Sequence, residues 1–269
     1  MSNNIDLIAP TFDGRLSANN YRLSIRLLPD GYSFCINDLN GNYQAIKYIA
    51  NKRYTSLADD ILLTQPYQSI SLYHNTRYTL LPRTTVQQIS ALENINLITP
   101  TITPDSIIRS TDTQSIVHSP ATDDIAIQYN ITTSLPSTFS YTNQHYIALL
   151  IQYLTNTSYN NAILVEALSS QTTIVVRQNG KIVYANTFYT SSTTDSVYYI
   201  ASCIELLQLD INTPIYIIDT ATKDNNISSI LTPHQYNIVS VNSTLWEGLP
   251  EEMTSNPQLN LFALQTVNI

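Results

Sequence analysis

The amino-acid sequence predicts an α+β protein, with α/β character, built from two similar halves at residues 1–124 and 125–269. Three observations lead to this prediction. Residues 21–49 alternate apolar and polar side chains in three short runs, which is typical of an antiparallel meander. Residues 193–209 repeat apolar side chains at helical spacing. Residues 214–220 form a short apolar run, as expected of a strand that is covered on both faces.

Length and charge limit the classes of function. A chain of 269 residues with 43% hydrophobic content can bury a substantial core. The net charge of −8 disfavours binding to phosphate backbones and to anionic lipid surfaces, so we expect no nucleic-acid partner. No basic and apolar leader opens the sequence, and no run approaches the roughly 20 apolar residues that span a bilayer. We therefore expect a cytoplasmic protein without membrane insertion.

The meander at 21–49 has turn residues between its runs. Asp30-Gly31 separates the first two runs, and Asn40-Gly41-Asn42 separates the next two. These residues favour the positive φ angles of tight hairpin turns, so the sequence predicts three antiparallel strands.

The rest of the first half has weaker signals. We predict a short helix at 55–64, strands at 69–73 and 77–82, and a helix at 84–94. Residues 99–124 are rich in Thr, Ser, Asp and Pro, which predicts a linker or a long loop.

The second half repeats this order of elements. A helix is predicted at 145–154, followed by a strand at 162–168 and a hairpin that turns at Asn179-Gly180. A last strand is predicted at 236–241.

The helix at 193–209 has the clearest pattern. Ser192 and Asp195 have the spacing of a capping pair at its start. The residues of its predicted buried face are Val197, Ile200, Ala201, Ile204 and Leu207.

Three antiparallel strands, a helix, a buried strand, a second helix and another buried strand follow the order of a ribonuclease-H-like unit. Two such units make the actin-like ATPase architecture. The order is clear in the second half and partial in the first. We therefore predict an actin-like ATPase fold of two ribonuclease-H-like halves, the first reduced in helices.

Short motifs add a resemblance. Residues 181–218 contain an Asn-x-Phe motif at 186–188, and Asp195 follows before the Tyr-Tyr pair at 198–199. This segment resembles a bacterial family, found chiefly among Bacteroidetes, whose members have a degenerate actin-like ATPase fold. Two further segments are similar to the family's opening hairpin and a later strand, at 21–36 and 77–82. The second half is also similar in pattern to pilus-assembly relatives of actin, some of which bind nucleotide and act as platforms for partners.

The resemblance makes ATP with magnesium the cofactor to consider. Phosphate loops need glycine where the backbone approaches the phosphates. The chain has five glycines, of which Gly31, Gly41 and Gly180 are assigned to hairpin turns, and Gly14 and Gly248 lie near the two ends. Active actin-like ATPases carry an acid-x-Gly-Thr sequence in the first hairpin of a half, where this chain has RLLPDGYS and EALSSQTT. We therefore expect no efficient ATP hydrolysis.

Asp219 and Glu166 are the candidate catalytic residues. Asp219 follows a buried strand, and ligands of open α/β sheets bind beyond the carboxyl ends of strands. The alternative is that Asp219 caps a turn or a helix. Glu166 lies mid-strand, where it would face either solvent or the inter-domain cleft as a ligand of a metal-bound water. Asp195 is read as structural, because an acid in the first turn favours the helix dipole.

Metal binding and nucleophilic catalysis have little support in the sequence. The four histidines, His74, His118, His145 and His234, are far apart and lack metal-ligand spacing, so we expect no metal site. Cys35 and Cys203 occupy core-like positions.

The sequence leaves two functions open, because the fold alone does not fix activity. The leading hypothesis is a non-catalytic or weakly nucleotide-binding platform for a protein partner, with a homodimer as one arrangement. The 19 tyrosines of the chain favour this hypothesis, since surface tyrosines anchor protein interfaces. The alternative is an atypical ATPase or phosphotransferase that uses Asp219 and Glu166 in the inter-domain cleft.

Overall fold

The computed structural model describes residues 5–8, 12, 20–50, 61–82, 114–118, 122, 124–131, 140–219 and 226–241. Backbone contacts divide the chain into two compact units, Met1–Ala148 and Leu149–Asn268. Residues 125–131 and 142–145, which sequence reasoning assigned to the second half, pair with strands of unit 1. The units reflect contacts, whereas the predicted halves reflect a repeated order of elements, so the division after residue 124 stays a prediction.

The described part of unit 1 consists mainly of strands. Its strands are β1 (Ile5–Ile8), β2 (Tyr21–Leu28), β3 (Gly31–Asp38), β4 (Tyr43–Ala50), β5 (Ser69–His74), β6 (Tyr78–Pro82), β7 (Gln114–His118), β8 (Ile125–Ile131) and β9 (Thr142–His145). Six of them form a sheet in the order β1-β4-β3-β2-β5-β9, and three form a second sheet in the order β6-β8-β7. Strands β2, β5 and β9 are parallel, whereas the β2-β3-β4 meander is antiparallel.

The predicted meander is confirmed, and its turns explain its register. Asp38 Oδ1 accepts the backbone N–H groups of Asn40 at 2.9 Å and Asn42 at 2.8 Å, and Gly41 adopts φ +88°. An L-residue rarely adopts that φ angle, so glycine suits the turn. One face of the meander is the centre of the unit 1 core, which contains Leu23, Ile25, Leu27, Tyr32, Phe34, Ile36, Ala45, Ile49, Leu63, Ile70 and Leu72.

Other predictions for the first half have mixed outcomes. The strands at 69–73 and 77–82 are confirmed as β5 and β6. The described end of the predicted helix at 55–64 is a 3-10 turn, η1 (Ile61–Thr64). The linker prediction for 99–124 is wrong at β7, because five residues there pair with β8 through backbone hydrogen bonds. The predicted helix at 84–94 lies outside the described residues, so the reduction in helices stays a prediction.

The described part of unit 2 contains helices that pack on a five-stranded sheet. Its elements are α1 (Ile147–Asn156), which starts at the end of unit 1, β10 (Ala162–Ala167), β11 (Gln171–Gln178), β12 (Lys181–Tyr189), α2 (Thr193–Leu206), β13 (Ile215–Asp219), α3 (Ile227–Leu231), η2 (Thr232–His234) and β14 (Ile238–Ser240). The sheet order is β12-β11-β10-β13-β14. Strands β10, β13 and β14 are parallel, and β10-β11-β12 is an antiparallel meander.

One face of this sheet packs against α2 and α3. The core on that face contains Ile163, Val165, Ala167, Ile174, Val176, Ile200, Cys203, Ile215, Ile227 and Leu231. Val197, Ile204 and Leu207 of the predicted helical face pack against it while partly buried. The helical periodicity of α2 therefore predicted its orientation correctly.

The end of α1 is held by one guanidinium group. Arg177 Nη1 donates to the backbone oxygens of Leu154 at 3.3 Å, Thr157 at 3.1 Å and Tyr159 at 2.9 Å. The last carbonyls of a helix lack intrahelical partners, and a cation also suits the negative end of the helix dipole. Arg177 therefore fixes α1 to the meander of unit 2.

Candidate functional site

A pocket of about 270 Å³ lies in unit 2, where β10 and β13 end. It also borders the N-terminal end of α2. Its lining consists of Ala167, Leu168, Ser169, Thr190, Ser191, Ser192, Thr193, Ser196, Asp219 and Ile227. The carboxyl ends of parallel strands are where α/β sheets bind ligands, so we take this pocket as the candidate site.

The wall formed by the start of α2 is fixed by a capping box. Ser192 Oγ accepts the N–H of Asp195 at 3.2 Å, and Asp195 Oδ2 accepts the N–H of Ser192 at 3.0 Å. Asp195 Oδ2 also accepts the hydroxyl of Ser191 at 2.7 Å and its N–H at 2.8 Å. The hydrogen bonds from Ser191 and Ser192 lower the pKa of Asp195, so its carboxylate stays charged. The structural interpretation of Asp195 is confirmed.

Two of the lining residues, Thr190 and Ser196, belong to a cluster of buried hydroxyl groups. Thr172 Oγ1 lies 2.7 Å from Ser196 Oγ and 3.3 Å from Thr190 Oγ1. All three residues are buried, and they join β11, the segment after β12 and α2. Each hydroxyl can donate one bond and accept others, so the three satisfy one another without a ligand. Sequence reasoning did not find this cluster, because its members are far apart in the chain.

Asp219 lies in the pocket and contacts the start of α3. Its Oδ2 accepts the backbone N–H of Ile227 at 2.8 Å. Asn226 caps the same helix, since its side-chain oxygen accepts the N–H of Ser229 at 2.7 Å. The carboxylate thus stabilises one of the amide groups that a helix start leaves without an intrahelical partner. Both interpretations of Asp219 meet here, because it lines the pocket and also serves a helix end.

Glu166 does not reach the pocket. It is buried in β10, with 1% of its surface exposed, opposite Ile218 of β13. Ala167 is the next residue, and it is opposite Asp219. Because side chains alternate along a strand, Glu166 and Asp219 leave opposite faces of the sheet. The structure therefore does not bring the two candidate carboxylates together.

The pocket combines one carboxylate with six Ser and Thr residues, and no Lys, Arg or His is among its lining residues. The Asp219 carboxylate is the group there that could hold magnesium, because hard cations prefer oxygen ligands. Across the described parts of the chain, no three His, Cys, Asp or Glu side chains are placed to bind one metal ion.

Two histidines come together in unit 1. His74 and His145 are both buried and are paired in the parallel register of β5 and β9. His74 Nε2 lies 2.8 Å from Asn143 Oδ1, and His145 Nε2 lies 2.9 Å from the carbonyl oxygen of Thr76. His145 Nε2 must donate to that carbonyl, so its Nδ1 accepts the N–H of Ile147 at 3.2 Å. Burial lowers the pKa of His74, which favours its neutral form.

The two cysteines are unsuited to nucleophilic catalysis. Both are buried and free. Burial raises the pKa of Cys35 to about 12, and it also raises the pKa of Cys203. A thiol is reactive as its thiolate, so both behave as small core side chains.

Three aromatic side chains of unit 2 contact one another, and we call Phe188, Tyr198 and Tyr199 the aromatic strip. The rings of Phe188 and Tyr199 stack with centroids 4.0 Å apart. Tyr198 contacts Tyr199 edge to face at 5.4 Å and is 66% exposed. One tyrosine of the pair thus packs against the sheet while the other faces outward.

Residues 14–238 match the family described as a protein of unknown function, DUF3822. The chain belongs to this family. No curated protein matches the sequence.

This DUF3822 chain is similar to solved structures. The chain is similar to a protein of Bacteroides thetaiotaomicron with an actin-like ATPase fold and unknown function, at 17% identity and a TM-score of 0.69. The match covers 93% of this chain and 96% of the other. A PilM-PilN type IV pilus biogenesis complex is also similar, at 11% identity and a TM-score of 0.59, over 91% of this chain and 97% of the other. These likenesses confirm the predicted actin-like ATPase fold, and the resemblance to a Bacteroidetes family is confirmed too.

Within the described residues of this DUF3822 chain, no helix is long and apolar enough to cross a membrane.

Proposed function

We propose that this DUF3822 protein is a non-catalytic, actin-like cytoplasmic protein that serves as an interaction platform for a protein partner. The observation that carries the proposal is the composition of the pocket in unit 2. Its lining has one carboxylate, hydroxyl groups and no basic side chain.

A nucleotide triphosphate would meet a carboxylate and no cationic side chain in this pocket. Phosphoryl transfer relies on cationic groups, metal ions and backbone N–H groups that offset the charge of the phosphates. Here the Asp219 carboxylate faces the pocket, and the turn after β10 is formed by Leu168, Ser169 and Ser170, whose side chains limit approach to the backbone. Asp219 is also engaged by the N–H of Ile227. The polar groups of the pocket are therefore better suited to stabilising the fold than to binding phosphate.

The surface of unit 2 supports the interaction role. Tyr189 is 81% exposed, Tyr198 66% and Leu206 80%. Exposed tyrosines contribute large contact areas to protein interfaces at small entropic cost. The PilM-PilN complex, which has a similar fold, is itself an assembly of two proteins. We extend only the general role to this chain, with a protein rather than a nucleic acid or a membrane as the partner; a second copy is one candidate.

The alternative is an atypical ATPase or phosphotransferase that binds ATP with magnesium. The position of Asp219 at the carboxyl end of β13 is the observation that favours it. Glu166 would then act elsewhere, because its side chain leaves the other face of the sheet.

A turnover assay separates the two functions. Phosphate release is measured at saturating magnesium-ATP for the wild type, for Asp219→Ala and for Glu205→Ala, which removes an exposed carboxylate outside the pocket. The proposal expects release at the rate of a protein-free blank in all three. Turnover that Asp219→Ala abolishes and Glu205→Ala preserves would establish the enzyme instead.

A further inference from the structure

Among the described strands, β12 is at one edge of the unit 2 sheet. It pairs with β11 on one side, and no described strand pairs with its other side. Backbone groups of an antiparallel strand point alternately toward and away from the neighbouring strand. Just beyond β12, the Thr190 N–H points inward, since it donates to the carbonyl of Ser170 at 3.1 Å. The Thr187 N–H instead meets the side-chain oxygen of Asn186 at 2.9 Å. The backbone N–H groups that point away from β11 are therefore those of Ala185, Thr187 and Tyr189.

The sequence of this edge does little to prevent pairing. Exposed edge strands are usually protected by Lys or Pro residues, or by bulges. Lys181 is at the hairpin end, and residues 182–189 carry no charge and no proline. The register shift at Val176/Arg177 is also near the hairpin end. The last six residues, 184–189, run in regular register with Tyr184 and Tyr189 at their ends. This part of β12 has the geometry for one more strand.

The charges beside the edge indicate what kind of strand would fit. Residues 182–206 contain Asp195 and Glu205 and no Lys, Arg or His. The aromatic strip is beside β12 on the sheet face that packs against α2, with Tyr198 and Tyr199 in edge-to-face contact. Aromatic faces attract guanidinium and ammonium groups, and an acidic surface attracts cations at longer range. A second copy of the chain would instead present the same acidic segment.

We propose that β12 binds an extended, basic segment of a partner protein as an added strand. Backbone groups of Ala185 and Tyr189 bond to the segment, and its Arg or Lys side chains lie on the aromatic strip. Tyr198, with two thirds of its surface exposed, is the ring that a new side chain reaches first. This inference rests on the proposed function, because it names the partner's chemistry for an interaction platform.

The test uses a labelled eight-residue peptide of alternating Arg and Val and measures fluorescence anisotropy on the full chain. Ala185→Pro removes an outward N–H while the bonds between β11 and β12 remain, as edge strands allow. Tyr198→Ala shortens the aromatic strip without changing the backbone. We expect at least about tenfold weaker binding for Ala185→Pro and roughly threefold to tenfold for Tyr198→Ala. Ile211→Ala, at a half-exposed residue elsewhere in unit 2, should bind like the wild type.

Two control peptides separate strand pairing from charge. A peptide with Glu in place of Arg should not bind, and one with its alternate amides methylated should lose binding although it keeps its charge. Equal binding of the methylated peptide, or unchanged binding to both Ala185→Pro and Tyr198→Ala, overturns the inference. A wild-type dimer in light scattering that Ala185→Pro converts to monomer also overturns it, because the occupant is then a second copy. These assays contain no nucleotide, so turnover of magnesium-ATP would refute the proposed function separately.

Discussion

Replacing Asp219 distinguishes a structural carboxylate from one reserved for chemistry. Its Oδ2 accepts the Ile227 N–H at 2.8 Å, and Ile227 is 1% exposed. Asp219→Ala removes this acceptor and leaves the amide without it. Asp219→Asn keeps an oxygen acceptor and removes only the charge.

The expected loss follows from the type of hydrogen bond. A bond to a charged group contributes about 1.5–3 kcal/mol when it is well shielded. Asp219 is only half-buried, so water can replace part of the lost hydrogen-bond energy. We therefore expect Asp219→Ala to lower the free energy of unfolding by about 1–2 kcal/mol. For a chain of this size that corresponds to a fall in Tm of roughly 2–8 °C. Asp219→Asn should lose about half as much or less, because a neutral bond remains.

Urea denaturation and thermal melting of both variants test this expectation. Glu205→Ala serves as the control, since an exposed substitution away from special contacts changes stability by less than about 0.5 kcal/mol. Carboxylates held for catalysis often reduce stability, so their removal stabilises the fold. An Asp219→Ala variant that melts at or above the wild-type temperature would therefore refute the structural role and favour the enzyme.

Three further predictions concern the surroundings of the site. Ser196→Ala should lower the free energy of unfolding by about 1–2 kcal/mol in urea, because it leaves the buried Thr172 hydroxyl without its 2.7 Å partner. Arg177→Met should cost about 2–3 kcal/mol and speed hydrogen exchange at the end of α1, whereas Arg177→Lys should recover part of the loss. Burial lowers the pKa of His74, so its contribution to stability is complete above its ordinary pKa of about 6.5 and is lost as the pH falls below that value. The wild type should therefore lose stability relative to His74→Gln as the pH falls below 6.5, by at most about 1.4 kcal/mol per pH unit, and parallel pH profiles would contradict this.

Local signals in the sequence predicted most of unit 2. The hairpin turn at Asn179-Gly180 has both residues at positive φ, 53° and 79°, which is the geometry such pairs favour. The capping pair of Ser192 and Asp195 was also visible in the sequence, because both groups lie within one turn.

Strands whose partners lie far along the chain escaped prediction. β9 has the sequence TNQH, which has no apolar periodicity, yet it pairs with β5 about 70 residues earlier. Its polar side chains bond to that strand, as Asn143 does to His74. Pairing over such a separation depends on tertiary contacts rather than on local pattern.

The site was predicted in part for the same reason. Asp219 was found because it is at the carboxyl end of a short apolar strand, where α/β sheets bind ligands. The burial of Glu166 could not be predicted, since alternation does not show whether a second layer covers a strand. The hydroxyl cluster of Thr172, Thr190 and Ser196 needs three separate elements to meet.

Calorimetric titration with ATP and ADP in the presence of magnesium tests the central claim most directly. The account predicts no heat of binding, together with an unchanged melting temperature in millimolar nucleotide. Binding at a hundredfold excess over Kd would stabilise the folded chain by about 2.7 kcal/mol, which a melting curve detects readily. A micromolar Kd with that shift would contradict the account, in which the chain does not bind ATP or ADP.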